Sequence, residues 1–213
     1  MDPARISALL RPFLERTLPE VQLQQISTYI NLLLRWNARI NLTAIRDPDE
    51  IVTRHFGESL FLARHLFPEA SSTVTATRVL DIGSGAGFPG IPMKIWAPAL
   101  SLTLIESNHK KAAFLREVIR ALTLTDINVI TSRAETLVST HPPAHIVTLR
   151  AVERFTTILP TAANLIAPTG RLALLISSAQ LSIVASLLPN LTWSAPIPIP
   201  ESNSRVLSIS VPV

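Results

Sequence analysis

The sequence predicts an α/β chain: a mostly parallel seven-stranded sheet with helices on both faces, preceded by an N-terminal helical cap. Three observations predict it. Residues 1 to about 67 carry apolar side chains at helical spacing and show no strand alternation. From Arg78 onward, short β-branched apolar runs alternate with helical patterns, the texture of a parallel sheet covered on both sides. Half of the six glycines, Gly83, Gly85 and Gly87, cluster where the first of those runs ends.

The elements follow in chain order. Ile6, Leu9, Leu10, Phe13 and Leu14 mark a first amphipathic helix, and Ile26, Tyr29, Ile30, Leu33 and Leu34 mark a second. PEASSTVTATR, with its proline and small residues, reads as a linker and divides a helical cap over 1–72 from a sheet domain over 73–213. Strands are expected over 79–82, 102–106, 127–131, 146–149 and 172–177, with Gly170 punctuating before the last. Helices are expected between them: a short one ending before Pro98, then 110–122, 134–138 and 156–166. The tail adds a helix over 181–188 and a closing hairpin of strands 191–194 and 206–211, separated by PIPIPE.

Composition narrows the function classes. A chain of 213 residues with 47% apolar content can bury one sizeable core and a smaller appendage. No apolar run reaches the roughly 18 residues that span a bilayer. The N-terminus lacks the order of a signal peptide, so a soluble cytoplasmic protein without a membrane partner is expected. The absence of cysteine excludes disulfides, thiolate metal sites and cysteine nucleophiles. His141 and His145 are four apart, but Pro142 and Pro143 between them disfavour a regular helix, and no metal site is expected. The net charge is +4, and all but three of the nineteen basic residues precede Ala151. Guanidinium groups suit a polyanion; charge alone favours an ordinary solvated surface.

The chemistry concentrates in RVLDIGSGAGFPGIP, residues 78–92. The glycines sit where a parallel strand runs out, the place where open sheets bind ligands. A dinucleotide fingerprint started at Gly83 needs a third glycine at Phe88, and a phosphate loop needs a Gly-Lys-Ser/Thr ending. Neither is present, and a loop without lysine or arginine suits a ligand without phosphates. The spacing Asp81-x-Gly83-x-Gly85-x-Gly87 resembles the first motif of class I methyltransferases, a Rossmann-like fold that binds S-adenosylmethionine. That resemblance implies a cofactor carboxylate at Glu106, ending the next strand, and an adenine turn in SRAETL at 132–137. Glu106 also fits a helix-capping role, and Asp81 also fits a tie on loop amides. The missing cysteine argues against methylation at pyrimidine C5. Arg150-Ala151-Val152-Glu153 after the fourth strand lacks the turn expected for adenine amines. Guanine N7 presents a lone pair and needs no general base.

Longer segments carry a closer resemblance. LLLRWNARINLTAIRDPDEIVTRHFGESL, RVLDIGSGAGFPGIPMKIWAP, LIESNHKKAAFLREV, TSRAE and VTLRAV together resemble the small-subunit ribosomal RNA methyltransferase G family. The resemblance covers about residues 20–177, with a weaker echo in RVLSI at 205–209. It implies methyl transfer from S-adenosylmethionine to N7 of a guanosine in the 530 loop of 16S ribosomal RNA, at conventional position 527. The implied partner is that RNA, whether naked, in an assembly intermediate or in the 30S subunit; a monomer is expected. Carried over, Gly83 and Phe88 fall in the cofactor loop with Gly85 and Gly87, and Ala134 and Glu135 fall at the adenine turn. Arg150 falls where cofactor and base meet, and Arg54 and His55, with Glu58 and Ser59, form an active-site wall. Glu58 stands where the family usually has aspartate, Leu149 where serine is common, and Val206 where histidine is frequent. Two alternatives stay open: a small-molecule methyltransferase on the same fold, and an RNA-associated module that binds cofactor without catalysing.

Overall fold

The computed structural model describes residues 1–68 and 77–211. The expected boundary between 72 and 73, and most of the expected linker, lie outside the described residues.

Asp2 caps the first helix, α1 (Pro3–Leu10), by accepting from the Ala4 N–H, and Pro3 occupies the turn where its missing donor costs nothing. The long helix α2 (Glu20–Asn37) buries Leu23, Ile26, Tyr29, Ile30 and Leu33, the stripe its spacing predicts. A short turn, α3 (Pro48–Glu50), runs directly into a π-helical stretch over Ile51–Gly57 and on into α4 (Glu58–Leu66). The π-turn is a sequence-invisible feature, and it carries Arg54 and His55.

The sheet strands are β1 (Arg78–Ile82), β2 (Ser101–Ile105), β3 (Ile127–Ile130), β4 (Ala144–Arg150), β5 (Ile166–Ser177), β6 (Ile197–Pro198) and β7 (Arg205–Ile209). They lie in the order β3-β2-β1-β4-β5-β7-β6. The first five strands are parallel, β7 runs antiparallel beside β5, and β6 edges β7. The remaining helices are α5 (Gly90–Trp96), α6 (His109–Ala121), α7 (Phe155–Asn164) and α8 (Leu181–Leu187). Two 3₁₀ turns span Ala134–Leu137 and Ser178–Gln180.

Two cores result. One joins α2, the π-turn and α4 to α5, α6 and one sheet face through Tyr29, Phe56, Leu60, Ile91, Leu104 and Phe114. The other packs α7 and α8 on the opposite face through Leu80, Val147, Leu149, Leu159 and Leu174. Successive strand residues feed opposite cores, as Val79 and Leu80 do, so the strands read as continuous apolar runs.

The tail departs from expectation. Residues 191–194 form no strand; Trp193 makes one isolated bridge to Ser210. The hairpin partner of β7 is instead Ile197–Pro198, inside PIPIPE. An edge strand pairs on one side only, so it tolerates prolines that cannot donate. Strand β5 also begins earlier than expected. Ala144 pairs Ile166, then Ile146 pairs Arg171, and the intervening bulge contains Gly170. Among the described residues no helix is long and apolar enough to cross a membrane.

Candidate active site

The carboxyl ends of β1, β2, β3 and β4 open onto a cleft of about 660 Å³ roofed by residues 42–45 and the π-turn. Its floor is the glycine loop. The Gly83 and Ser84 N–H groups both donate to the Ile105 carbonyl, at 2.9 and 3.1 Å, which ties the loop to the end of β2. Glu106 completes the tie: Oε2 accepts from the Gly85 N–H at 2.9 Å and Oε1 from the Asn108 N–H at 2.7 Å. Asn108, not Glu106, caps α6. The Glu106 carboxylate therefore lies fixed at the cleft wall, with lone pairs left for a ligand.

The glycines divide by what faces them. A side chain at Gly85, at φ 55, would meet nothing nearer than the Gly83 carbonyl at 3.8 Å. At Gly87, at φ 90, it would strike the Tyr29 hydroxyl, Ile91 and Leu115. Gly85 thus leaves space on the cleft side, and Gly87 leaves space for the helical region. Asp81 and Gly87 accordingly do not line the cleft, contrary to the expectation that both touch cofactor. Asp81 is fully buried beneath the loop, where Oδ1 accepts from the Thr148 hydroxyl at 3.0 Å and Oδ2 from the Gly90 N–H at 3.3 Å. Burial raises its carboxyl to about 6 against those stabilising hydrogen bonds.

The other expected residues converge. Gly83, Gly85, Phe88 and Glu106 line one side of the cleft, and Ala134 and Glu135 close its far end. Arg54, His55 and Arg150 line the opposite end.

At that end lies a charge cluster. The Glu58 side chain is 1% exposed and meets three arginines: Oε1 pairs with Arg54 Nε, and Oε2 with Nη2 of both Arg150 and Arg205, each at 3.1 Å. Arg150 Nη2 also donates to the Arg54 carbonyl at 2.6 Å and to His55 Nδ1 at 3.1 Å. Burial lowers Arg150 to about 10, opposed by Glu58, so it stays charged at neutral pH. Because His55 Nδ1 faces a donor, the ring proton sits on Nε2 and goes to the Thr43 hydroxyl oxygen at 2.8 Å. Burial, with the charges of Arg150, Arg54 and Arg205, pushes His55 down to about 3. A histidine so held is a neutral wall, not a base.

The roof is organised from α2. Asn37 Oδ1 accepts from the Leu42 and Thr43 N–H groups, and its Nδ2 donates to the Thr43 carbonyl. That places Thr43 against His55. The Tyr29 hydroxyl donates to the Ala86 carbonyl, and its ring stacks on Phe88 at 5.3 Å and 2°. Phe88 in turn stacks on His55 at 4.7 Å and lies 5.9 Å beneath the Arg150 guanidinium.

Sequence reasoning missed Arg205 and Tyr29 as parts of this site. The signal for Arg205 was slight: it is the single arginine after Arg171 and opens the RVLSI echo. Among the described residues no three His, Asp or Glu side chains gather as metal ligands do.

The site fits S-adenosylmethionine on its own chemistry. It offers an uncharged glycine floor, the open face of Gly85, a fixed carboxylate, and apolar walls from Ile82, Phe88 and Ile158.

The model of a family described as rRNA small subunit methyltransferase G matches residues 22–185. A ribosomal RNA small subunit methyltransferase G of Xylella fastidiosa is 39% identical over 190 residues, covering 88% of this chain and 85% of the relative. One of Roseiflexus castenholzii is 46% identical over 147 residues, covering 67% of this chain and 59% of the relative. Among solved structures, a ribosomal protein L11 methylase of Lactobacillus delbrueckii aligns with a TM-score of 0.59 at 16% identity, over 74% of this chain and 80% of that one. A SAM-dependent methyltransferase from Aquifex aeolicus aligns at 0.57 and 15% identity, over 78% of this chain and 94% of that one. At such identities these structures establish the shared fold.

Proposed function

This chain belongs to the rRNA small subunit methyltransferase G family, and from that premise we propose that it transfers a methyl group from S-adenosylmethionine to N7 of a guanosine in the 530 loop of 16S ribosomal RNA. The observation that carries the choice of atom is the state of the two groups nearest the glycine loop and Arg150 that could otherwise take a proton. His55 is neutral with both ring nitrogens engaged, and Asp81 is sealed beneath the loop. N7 attack suits such a site, because its lone pair is free and no proton leaves.

When bound, the cofactor supplies an electrophilic methyl on a sulfonium. The chain's residues bind and orient around it. Gly85 leaves the floor clear, and Glu106, immobilised by two backbone donors, accepts from ribose hydroxyls. Ala134 and Glu135 flank the adenine end, and Phe88 walls the reaction end. Arg150 is held by Glu58, the Arg54 carbonyl and His55, so the target nucleotide meets a fixed guanidinium rather than a searching one. Two segments make up the working unit, a cap over 1–72 and a cofactor domain over 73–213.

The test uses 30S subunits that lack the modification, cofactor with a labelled methyl, and nucleoside analysis of the recovered 16S RNA. Label in 7-methylguanosine supports the proposal. Label in another methylated nucleoside, or none despite saturable cofactor binding, overturns it.

A further inference from the structure

A second cavity of about 300 Å³ adjoins the cleft on the far side of β4. The two share Arg54, Arg150 and Arg205, but Phe155, Ser177, Gln180 and Ser204 belong to the second cavity alone. Its private walls come from the start of α7, the end of β5 and the loop before β7. None comes from the glycine loop or from the ends of β2 and β3.

Charge says what it takes. Three guanidinium groups surround the single Glu58 carboxylate, which leaves two positive charges in excess. Buried donors are normally paired. Yet Arg150 Nε and Arg205 Nε are buried and have no hydrogen-bond partner among the described residues. The Arg150 side chain is only 8% exposed. Both arginines line the cavity, and a wall carrying their guanidinium groups with surplus positive charge matches an anion with several acceptor oxygens.

We propose that this second cavity is a phosphodiester subsite, in which Arg205 and Arg150, organised by Glu58, hold a backbone phosphate of the RNA beside the target nucleotide. The inference rests on the RNA substrate proposed above. The target base itself fits worse, because N7 methylation makes it cationic and the surrounding excess charge is already positive. The carboxylate of the cofactor fits worse, because the cavity's own walls lie across β4 from the cofactor loop.

Ser204 is exposed at the edge of this cavity, so replacing it tests the subsite with little risk to the fold. Ser204→Glu places a carboxylate in competition with the phosphate, and Ser204→Gln is its uncharged counterpart. Expected for S204E is a fall in kcat/KM for 30S subunits of at least about 30-fold, the size of a like-charge penalty of roughly 2 kcal/mol. S204Q should fall at least about tenfold less than S204E, and the cofactor KM should not move in either. Independently, Arg205→Gln should reduce the slope of log affinity for 30S against log salt by about 0.7 to 1, one phosphate contact. Equal behaviour of S204E and S204Q, with an unchanged salt slope in R205Q, overturns the subsite. A weakened cofactor KM in S204E also overturns it and assigns the arginines to the cofactor carboxylate. Wild-type enzyme that fails to methylate 30S at all would instead count against the substrate reading on which the subsite rests.

Discussion

At the scale of single residues, Arg150 ends β4 at the junction of the two cavities, and everything about its setting limits its motion. Arg150→Ala should lower kcat by about 100-fold or more, the usual result of losing a positioning contact. Calorimetric affinity for S-adenosylhomocysteine should stay within about twofold of wild type, since the contact removed from the cofactor loop is a single long one to the Phe88 ring and the Glu106 ties remain. Near-normal turnover in this variant would refute the role. His55 gives a pH prediction with a definite sign. Its folded value, about 3, lies below the ordinary 6.5, so the folded state binds fewer protons between those limits. The stability linked to His55 is therefore full above pH 6.5 and is lost as pH falls toward 3. Ring ¹⁵N resonances should report the neutral Nε2–H tautomer at pH 5, and kcat should show no histidine inflection between pH 6 and 8. Protonation near 6.5 would contradict the account. That Arg150, Glu106 and Ala134 meet at one cleft was legible, because each stands at or just past a strand end. The sequence could not reveal that Asp81 faces inward or that Gly87 faces Tyr29, 58 residues earlier. Those are facts of packing across long sequence separations.

At the scale of elements, the glycine loop is one turn serving two masters. Its floor faces the cleft at Gly85, and its back faces the helical region at Gly87. The two glycines should therefore fail differently. Gly87→Ala collides with Tyr29, Ile91 and Leu115 and should destabilise the fold by about 2–4 kcal/mol, combining overpacking with a positive φ. Gly85→Ala pays only the conformational part, about 1 kcal/mol, and should mainly weaken cofactor binding. Chemical denaturation and calorimetric titration of both variants separate the effects; the reverse assignment would contradict this division. The five parallel strands and the helices covering them were legible from their apolar runs and periodicity. The hairpin was not, since Ile197–Pro198 is too short and proline-rich to register as a strand, and its pairing depends on β7. The π-turn was equally invisible, because Ile51–Gly57 satisfies an ordinary helical pattern.

At the scale of the whole molecule, the helical region and the sheet share a core, and Tyr29 is one residue through which that core supports the cleft. Its hydroxyl holds the Ala86 carbonyl, and its ring begins the stack that runs through Phe88 to His55. Tyr29→Phe keeps the stack and leaves a buried carbonyl without its donor, a cost of about 1–3 kcal/mol. Part of that cost should appear in the loop, as a cofactor KM raised severalfold with kcat largely kept. A changed melting temperature with an unaltered cofactor KM would make Tyr29 structural only. The proposed methylation of one guanine at N7 joins all three scales: a fixed arginine, a split-faced loop and a helical region packed on the sheet. Its most direct measurement is borohydride–aniline cleavage mapping of 16S RNA, after wild-type protein and S-adenosylmethionine have acted on 30S subunits lacking the modification. One new enzyme-dependent cleavage is expected, in the 530 loop at conventional position 527. No new cleavage there, from protein shown to bind the cofactor, or cleavage at other guanosines instead, would contradict it.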